Sequence, residues 1–210
     1  MPEPVKTRGY RSPRRKAQAA ATRSAVVAAA RDRFFQKGYA ATTVAAIARH
    51  AGVSVDTVYT AVGRKPELVL AVIDEVLGGA AAEQREYVQV VRRQQSARGK
   101  LEVYAAAVAR LVPEIAPLQE ALRKAAETDR ACSRTWRGLV SRRADNMRLL
   151  AAELRSTGEV RRGLMDEEVA DILWSTNAPE YWQLLEQRGW NPERYERLLV
   201  DLWTRILLTE

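Results

Sequence analysis

The sequence predicts an all-α protein, and three observations support this. Residues that favour helices (Ala, Leu, Arg, Glu and Gln) are abundant after residue 14. No stretch alternates between apolar and polar residues with the period of two that marks a half-buried strand. Gly and Pro fall mostly between the periodic segments rather than inside them. We therefore expect helices joined by short turns.

The charge of the chain is concentrated in its first third. The net charge is +8, and residues 1–65 hold 13 Lys/Arg but only 3 Asp/Glu. A concentrated positive field attracts a polyanion, with nucleic acid as the leading candidate and an anionic membrane surface as the alternative. A solvated, solubilising segment is the remaining interpretation. Residues 1–13, rich in Pro and basic residues, are expected to form a disordered arm that could lie on phosphates.

The next segment predicts three helices. The first covers about residues 14–37, with Val27, Ala30 and Phe34 on one apolar stripe and Gly38 at its end. Thr43 is placed to cap a short helix over residues 44–50.

A second short helix follows after a turn. Gly52 supplies the turn, and Ser54 caps a helix over residues 55–61. Ala48 allows a close crossing, and Val58 points back towards it. Two short helices joined in this way form a helix-turn-helix. An ordinary helical hairpin is the alternative, but the basic balance and the polar face of the second helix favour DNA.

The rest of the chain predicts further helices. One begins near Lys65 and runs to Leu77, where Gly78 and Gly79 break it or form a hinge. Pro179 is expected to kink or restart a helix that Asp166 caps, and Asn191 is expected to cap the last helix. In between, helices are predicted over residues 80–96, 97–112, 114–127 and 129–157.

Several classes of function are excluded or disfavoured. One cysteine, Cys132, excludes an internal disulfide and a cysteine-based zinc finger, and one histidine, His50, excludes a histidine-rich metal site. No nucleophile elbow, phosphate-binding loop or zinc-protease motif is present. We expect no enzyme activity, no cofactor and no metal. Short apolar runs and the lack of a secretory signal predict a cytoplasmic protein with no membrane partner.

Residues 23–77 resemble the N-terminal domain of TetR-family transcriptional repressors. The resemblance rests on Phe34, Lys37-Gly38-Tyr39, Thr42-Thr43, Ile47-Ala48, Ala51-Gly52-Val53-Ser54, Thr57-Val58-Tyr59, Lys65 and Leu68. It covers about a quarter of the chain. The ending, from Asp171 through Trp190 to Tyr195, is similar to the last two helices of some bacterial members, though less tightly.

The resemblance implies that the second short helix enters the DNA major groove. Tyr59 and Lys65 match phosphate-contacting residues, and Asp56 is either a base reader or a helix-start charge. The aromatic pair that usually follows the tyrosine is replaced by Ala61 and Val62, which weakens both a phosphate contact and the core. The implied DNA-binding residues are Thr43, Ser54, Val55, Asp56, Thr57, Tyr59, Thr60, Arg64 and Lys65.

The resemblance also implies two roles for the C-terminal region. The middle helices would enclose a ligand pocket, for which the candidate residues are Tyr104, Arg110, Trp136, Met147 and Asn177. The last helices would pair with a second subunit through Val169, Ile172, Leu173, Tyr195, Leu198, Leu199, Leu202 and Ile206. Cys132 is a redox sensor or, more simply, a buried inert thiol.

The expected organisation is an arm over residues 1–13, a helix-turn-helix DNA-binding domain over 14–64 and a ligand-binding and dimerisation domain over 65–210. The expected function is a homodimeric repressor that leaves a palindromic DNA operator when a small-molecule effector binds. The alternative is a basic scaffolding or membrane-surface protein that reads no DNA sequence.

Overall fold

The computed structural model describes residues 13–209, so the predicted arm lies outside the described residues except for Pro13. Within this range the chain is all-α, as predicted, with ten α-helices and one 3₁₀ turn. The helices are α1 (Pro13–Ala41), α2 (Val44–Ala51), α3 (Val55–Ala61), α4 (Lys65–Val76), α5 (Glu86–Arg93), α6 (Ala97–Ala125), α7 (Arg130–Arg155), α8 (Asp166–Thr176), α9 (Pro179–Glu186) and α10 (Pro192–Leu207).

The first helix follows the predicted pattern. Regular helix geometry is interrupted at Gly38, whose φ of 74° and ψ of 167° are not helical. Val27, Ala30 and Phe34 are buried, which confirms the apolar stripe. Glycine adopts a positive φ without the steric cost that a Cβ would bring, so the chain can turn here towards α2.

The longest central helix corrects a prediction. A boundary was expected at Pro113, but α6 continues through both Pro113 and Pro117. Each interior proline removes a helical hydrogen bond and costs about 3 kcal/mol in an isolated helix. Because α6 packs against α1, α4, α5, α7, α9 and α10, burial of its apolar side chains offsets this cost.

The helix that precedes α6 is shorter than predicted. Instead of one helix over residues 80–96, a 3₁₀ turn (Ala82–Gln84) precedes α5. Gly78 and Gly79 both have positive φ and turn the chain away from α4. Arg85 then holds the loop, because its Nε donates to the carbonyl oxygen of Gly79 at 3.0 Å.

The C-terminal helix starts are close to their predicted positions. Asn191 caps α10, since its Oδ1 accepts from the backbone N–H of Arg194 at 3.0 Å. Pro179 begins α9, as expected for a restart. The N-terminal cap of α8 is Met165 rather than Asp166, a shift of one residue. Asp166 instead pairs with Arg155, whose Nε lies 2.7 Å from its Oδ1.

Two hydrophobic clusters form the core. The N-terminal cluster joins α1–α4 to the last turns of α6 and the first half of α7, and includes Phe34, Ile47, Val58, Leu68, Ile115 and Leu122. The C-terminal cluster joins α5 and most of α6 to the end of α7, α8, α9 and α10, and includes Leu101, Leu154, Leu173, Tyr195, Leu199 and Trp203. The two clusters meet along α6.

No helix within residues 13–209 combines the length and the apolar character that a membrane span requires.

Candidate nucleic-acid interface and interior cavity

Local hydrogen bonds cap the two short helices, and a glycine turn joins them. Thr43 Oγ1 accepts from the backbone N–H of Ala46 at 3.1 Å and caps α2. Ser54 Oγ accepts from the backbone N–H of Thr57 at 3.1 Å and caps α3. Between them, Gly52 has a φ of 68° and a ψ of 30°, the left-handed conformation that the turn requires. All three predicted roles are confirmed.

The two faces of α3 differ sharply. Val58 is fully buried in the N-terminal cluster with Ile47 and Ala48, which confirms the predicted crossing. Asp56, Tyr59 and Thr60 lie on the outside, and 47% of Tyr59 is exposed.

The other side chains at α3 either form local hydrogen bonds or are partly buried. Ser54 is exposed, but its hydroxyl lies 2.8 Å from that of Thr57, and Thr60 donates to the carbonyl oxygen of Asp56 at 2.8 Å. Val55 and Thr57 are half-buried. The Asp56 carboxylate and the Tyr59 hydroxyl are therefore the most prominent polar groups on the outer face.

Two basic residues stand at the start of α4. Arg64 is exposed and precedes the helix. Lys65 is half-buried: its Nζ lies 4.1 Å from the centroid of the Tyr39 ring and donates to the carbonyl oxygen of Ala40 at 3.4 Å. Burial lowers the pKa of Lys65 from its usual value. Because the aromatic ring already restricts the ammonium group, this lysine loses less side-chain entropy when it makes a further contact than a freely rotating lysine would.

The support beneath Lys65 reaches the C-terminal region. The Tyr39 hydroxyl lies 3.3 Å from the Sγ of Cys132 on α7. Cys132 is buried, and burial raises the pKa of its thiol. This favours the inert thiol over the reactive one, because the thiolate is the nucleophilic form.

One contact of the helix-turn-helix was not predicted. Arg23 on α1 donates from Nη1 to the carbonyl oxygen of Ala61 at 2.8 Å and so binds the carboxyl end of α3. The two residues are 38 positions apart, and no local pattern in the sequence signals the pairing. Ala61 and Val62, which replace the family's aromatic pair, are half-buried, and Val62 packs against the N-terminal cluster.

A cavity of about 120 Å³, partly open to solvent, lies between α4, α5, α6 and α7 and extends into the interior of the chain. Three of the predicted ligand residues line it together. Asn177 Nδ2 donates to the Tyr104 hydroxyl at 2.7 Å and lies 3.0 Å from Met147 Sδ. The other two candidates lie elsewhere: Arg110 borders a separate, more open depression, and Trp136 packs against the N-terminal cluster.

The cavity wall contains polar residues that were not predicted, among them Arg85, Gln119, Arg142 and Arg143. Arg143 donates from Nη2 to Asn177 Oδ1 at 2.8 Å. The wall also includes Leu77, directly after the end of α4. Arg142 Nη2 lies 2.6 Å from Oδ1 of Asp74 on α4. The cavity wall therefore contacts α4 at two points, through Leu77 and through this ion pair.

The predicted dimer residues fall into two groups. Val169, Leu173, Tyr195 and Leu199 are buried in the C-terminal cluster of the same chain. Their side chains face inward and are not available to a partner. Ile172, Leu198, Leu202 and Ile206 are only half-buried, and the last three follow one another at four-residue spacing along α10.

The family comparison agrees with this geometry. Residues 26–72 match the family model for bacterial regulatory proteins of the TetR family. The similarity to that family therefore lies in this stretch, about a fifth of the chain. The match covers part of α1, then α2, α3 and most of α4, where the caps, the Gly52 turn and Lys65 lie. Among curated proteins, none matches the chain.

Solved structures with a similar fold cover most of this chain. A complex of SmeT with triclosan has 19% identity and a TM-score of 0.65, over 90% of this chain and 93% of that one. SmeT represses the multidrug efflux pump SmeDEF of Stenotrophomonas maltophilia. NalD, the secondary repressor of the MexAB-OprM multidrug efflux pump in Pseudomonas aeruginosa, has 22% identity and a TM-score of 0.60, over 91% and 99%.

A third structure, from Saccharomonospora viridis in complex with choline, has 14% identity and a TM-score of 0.69, over 91% of this chain and all (100%) of that one. At these identities the three structures establish a shared fold.

Proposed function

We propose that this TetR-family protein is a homodimeric repressor that reads a palindromic DNA operator and is released by a small molecule bound in the interior cavity. The observation that supports DNA reading most directly is the outward face of α3. Val58 anchors the helix from behind, while the Asp56 carboxylate and the Tyr59 ring project outward. The B-DNA major groove, about 12 Å wide, admits such a helix.

We assign the DNA contacts as follows. Ser54, Val55, Asp56, Thr57 and Thr60 would meet base edges or nearby backbone in the major groove. The remaining predicted residues, Thr43, Tyr59, Arg64 and Lys65, would contact phosphates. The Tyr39 ring beneath Lys65 supports this assignment, because it fixes the direction of the ammonium group.

A dimer would present two copies of α3 to one face of DNA, about 34 Å apart. We propose that α8 and α10 pack against the same helices of a second copy. The interface would use the half-buried residues Ile172, Leu198, Leu202 and Ile206. The four predicted residues that face the core of the same chain are left out.

The connection between cavity and DNA would be α4. Its first residue is Lys65, and its other end reaches the cavity wall through Leu77 and through the pairing of Asp74 with Arg142. The structures of SmeT with triclosan and of the Saccharomonospora protein with choline support a small-molecule effector. By linkage, the effector must bind the DNA-incompetent state more tightly.

The same proposal covers organisation and location. Residues 14–64 would read DNA, residues 65–210 would bind effector and partner, and the arm over residues 1–13 would lie on phosphates. A regulator of this kind acts in the bacterial cytoplasm and catalyses no reaction.

The proposal is tested by selecting from a randomised duplex DNA library with the purified protein at moderate salt. We expect a palindromic motif with half-sites about one helical turn or slightly more apart. Binding without sequence preference that fades as salt rises would contradict it and favour the scaffolding alternative.

Matched variants sharpen this test. The double variant Tyr59→Ala/Thr60→Ala should lose the motif. Arg64→Ala should weaken binding to all sequences and lower the salt slope by about 1. Arg98→Ala removes the same charge from an exposed site on α6, and it should change neither the strength of DNA binding nor the salt slope. Retention of the motif by the double variant would refute the assignment of α3. Equal binding of the wild-type protein and the double variant to anionic vesicles would support the membrane-surface alternative.

A further inference from the structure

The cavity wall has an excess of positive charge. Four arginines line it, Arg85, Arg92, Arg142 and Arg143, together with a single acid, Glu153. Arg92 pairs with Glu153, and Arg142 pairs with Asp74. Within residues 13–209, Arg85 and Arg143 form no ion pair with any carboxylate.

Arg85 is the more deeply buried of the two, with 4% of its surface exposed. Its guanidinium donates to two backbone carbonyl oxygens, those of Gly79 and Ala80, and to the Tyr87 hydroxyl. These neutral acceptors satisfy three of the five N–H groups and leave the charge uncompensated. A buried cation without a counter-ion is destabilising, so the site gains most from a ligand that brings negative charge.

Arg143, on α7, organises a polar group in the cavity wall. Its Nη2 donates to the Asn177 amide oxygen at 2.8 Å and to the Trp174 carbonyl oxygen at 2.9 Å. Its guanidinium also lies 5.2 Å from the centroid of the Trp174 ring. Burial lowers the pKa of Arg143, and the negative charge of Glu180 opposes this shift without reversing it.

The hydrogen-bond directions leave one donor beside Arg143 with only a weak acceptor. Because Asn177 Oδ1 accepts from Arg143, its Nδ2 must donate, and it donates to the Tyr104 hydroxyl. The Tyr104 proton then points to Met147 Sδ at 3.4 Å, a weak acceptor. An oxygen anion in the cavity would be a stronger acceptor for the same proton.

The rest of the wall is mostly apolar, with Gln119 and Asn146 as further polar residues. Gln119 is 2% exposed, and its Oε1 has no hydrogen-bond partner among the described residues. Val108, Leu111, Val112 and Leu150 supply much of the remaining surface. The volume of about 120 Å³ is close to the ~150 Å³ of an apolar cavity that holds benzene.

We infer that the cavity binds a small amphipathic carboxylate of about the size of benzoate, whose carboxylate pairs with Arg143 and accepts from Tyr104 while its ring contacts the apolar wall. This names the class of effector for the proposed regulator and therefore rests on that function. Arg85 adds to the positive field, and Gln119 offers a polar contact to a substituent on the ring.

The first test compares three probes of matched size and different charge on the wild-type chain without DNA. Benzoate, benzamide and benzylamine are titrated in turn while the thermal midpoint and the heat of binding are measured. Benzoate should bind at least about tenfold more tightly than benzamide, a difference that corresponds to ~1.4 kcal/mol, and benzylamine should bind worst. Equal or tighter binding of benzamide or benzylamine, or no binding by any probe, would overturn the inference.

Variants then locate the carboxylate. Arg143→Met keeps a stem of similar length and should abolish the preference for benzoate. Arg148→Met lies on the same helix, where Arg148 pairs with Asp145 at an exposed site, and should preserve it. A retained preference in Arg143→Met would overturn the assignment to this arginine. If Arg143→Met fails to fold, Tyr104→Phe, which removes the donor to Met147 and the acceptor of Asn177 Nδ2, should weaken benzoate binding and leave benzamide binding little changed.

The outcome is separable from that of the DNA selection. Probe binding is measured without DNA, so it stands or fails on the cavity alone. Selective benzoate binding with no enriched DNA motif would preserve the inference about ligand class and refute the regulatory function. An enriched DNA motif together with no charge preference among the probes would preserve the regulatory function and refute the inference about ligand class.

Discussion

The pair formed by Asp74 and Arg142 allows the link between α4 and the cavity to be measured. Arg142 approaches the carboxylate with two nitrogens, Nη2 at 2.6 Å from Oδ1 and Nη1 at 3.3 Å from Oδ2. The side chains are 16% and 29% exposed, so solvent screens the pair only in part. Asp74→Asn keeps the shape of the side chain and removes its charge.

The expected cost follows from the geometry and the burial. A hydrogen bond to a charged group contributes roughly 1.5–3 kcal/mol, whereas a fully exposed ion pair contributes about 0.2–1 kcal/mol. A bidentate pair with this exposure lies between these limits, so we expect Asp74→Asn to lower the free energy of unfolding by about 2 kcal/mol. For a chain of this length, that corresponds to a fall of about 4–8 °C in the thermal midpoint.

A double-mutant cycle separates the pair from the other effects of each substitution. The free energy of unfolding is measured by denaturant titration for Asp74→Asn, Arg142→Gln and the double variant. The control cycle uses Asp145 and Arg148, whose side chains are 63% and 64% exposed, and its coupling should stay below about 0.5 kcal/mol. A coupling energy for Asp74 and Arg142 no larger than that of the control would refute the structural link.

Two further predictions concern Gly52 and Cys132. Gly52→Ala should lower the free energy of unfolding by about 1–2 kcal/mol in denaturant titrations, because a Cβ there meets no neighbour but φ is 68°. Gly52→Asn should cost less, and equal stability of Gly52→Ala and wild type would contradict the requirement for a left-handed turn. Cys132, buried and with a raised pKa, should react with a disulfide reagent near pH 8 far more slowly in the folded chain than in denaturant. Equal rates would instead show an accessible, reactive thiol.

The helix-turn-helix was predictable because its determinants are local. Thr43, Gly52 and Ser54 act on backbone groups within four residues of themselves, so the sequence alone specifies the caps and the turn. The interruption of the first helix at Gly38 follows the same rule. By contrast, Pro113 predicted a boundary that α6 does not have, because burial against six other helices outweighs the local preference.

The cavity was only partly predictable because its residues converge from distant helices. Trp136 and Arg143 are seven residues apart, so they share one face of α7 but stand about 10 Å apart along its axis. Trp136 therefore packs against the N-terminal cluster, while Arg143 reaches the cavity. Arg110 is six residues from Tyr104, which places it on a different side of α6, where it is exposed.

The continuity of α6 has a consequence for folding cooperativity. The helix has 29 residues and is therefore about 44 Å long, and it supplies side chains to both hydrophobic clusters. Ile115, Leu118 and Leu122 complete the packing around Phe34, although they lie far from it in sequence. A fragment ending after α4 would expose this apolar surface, and neither cluster can melt without disturbing the helix that the other needs. The helix-turn-helix and the cavity thus share one folding unit, in which a perturbation of either one affects the whole chain.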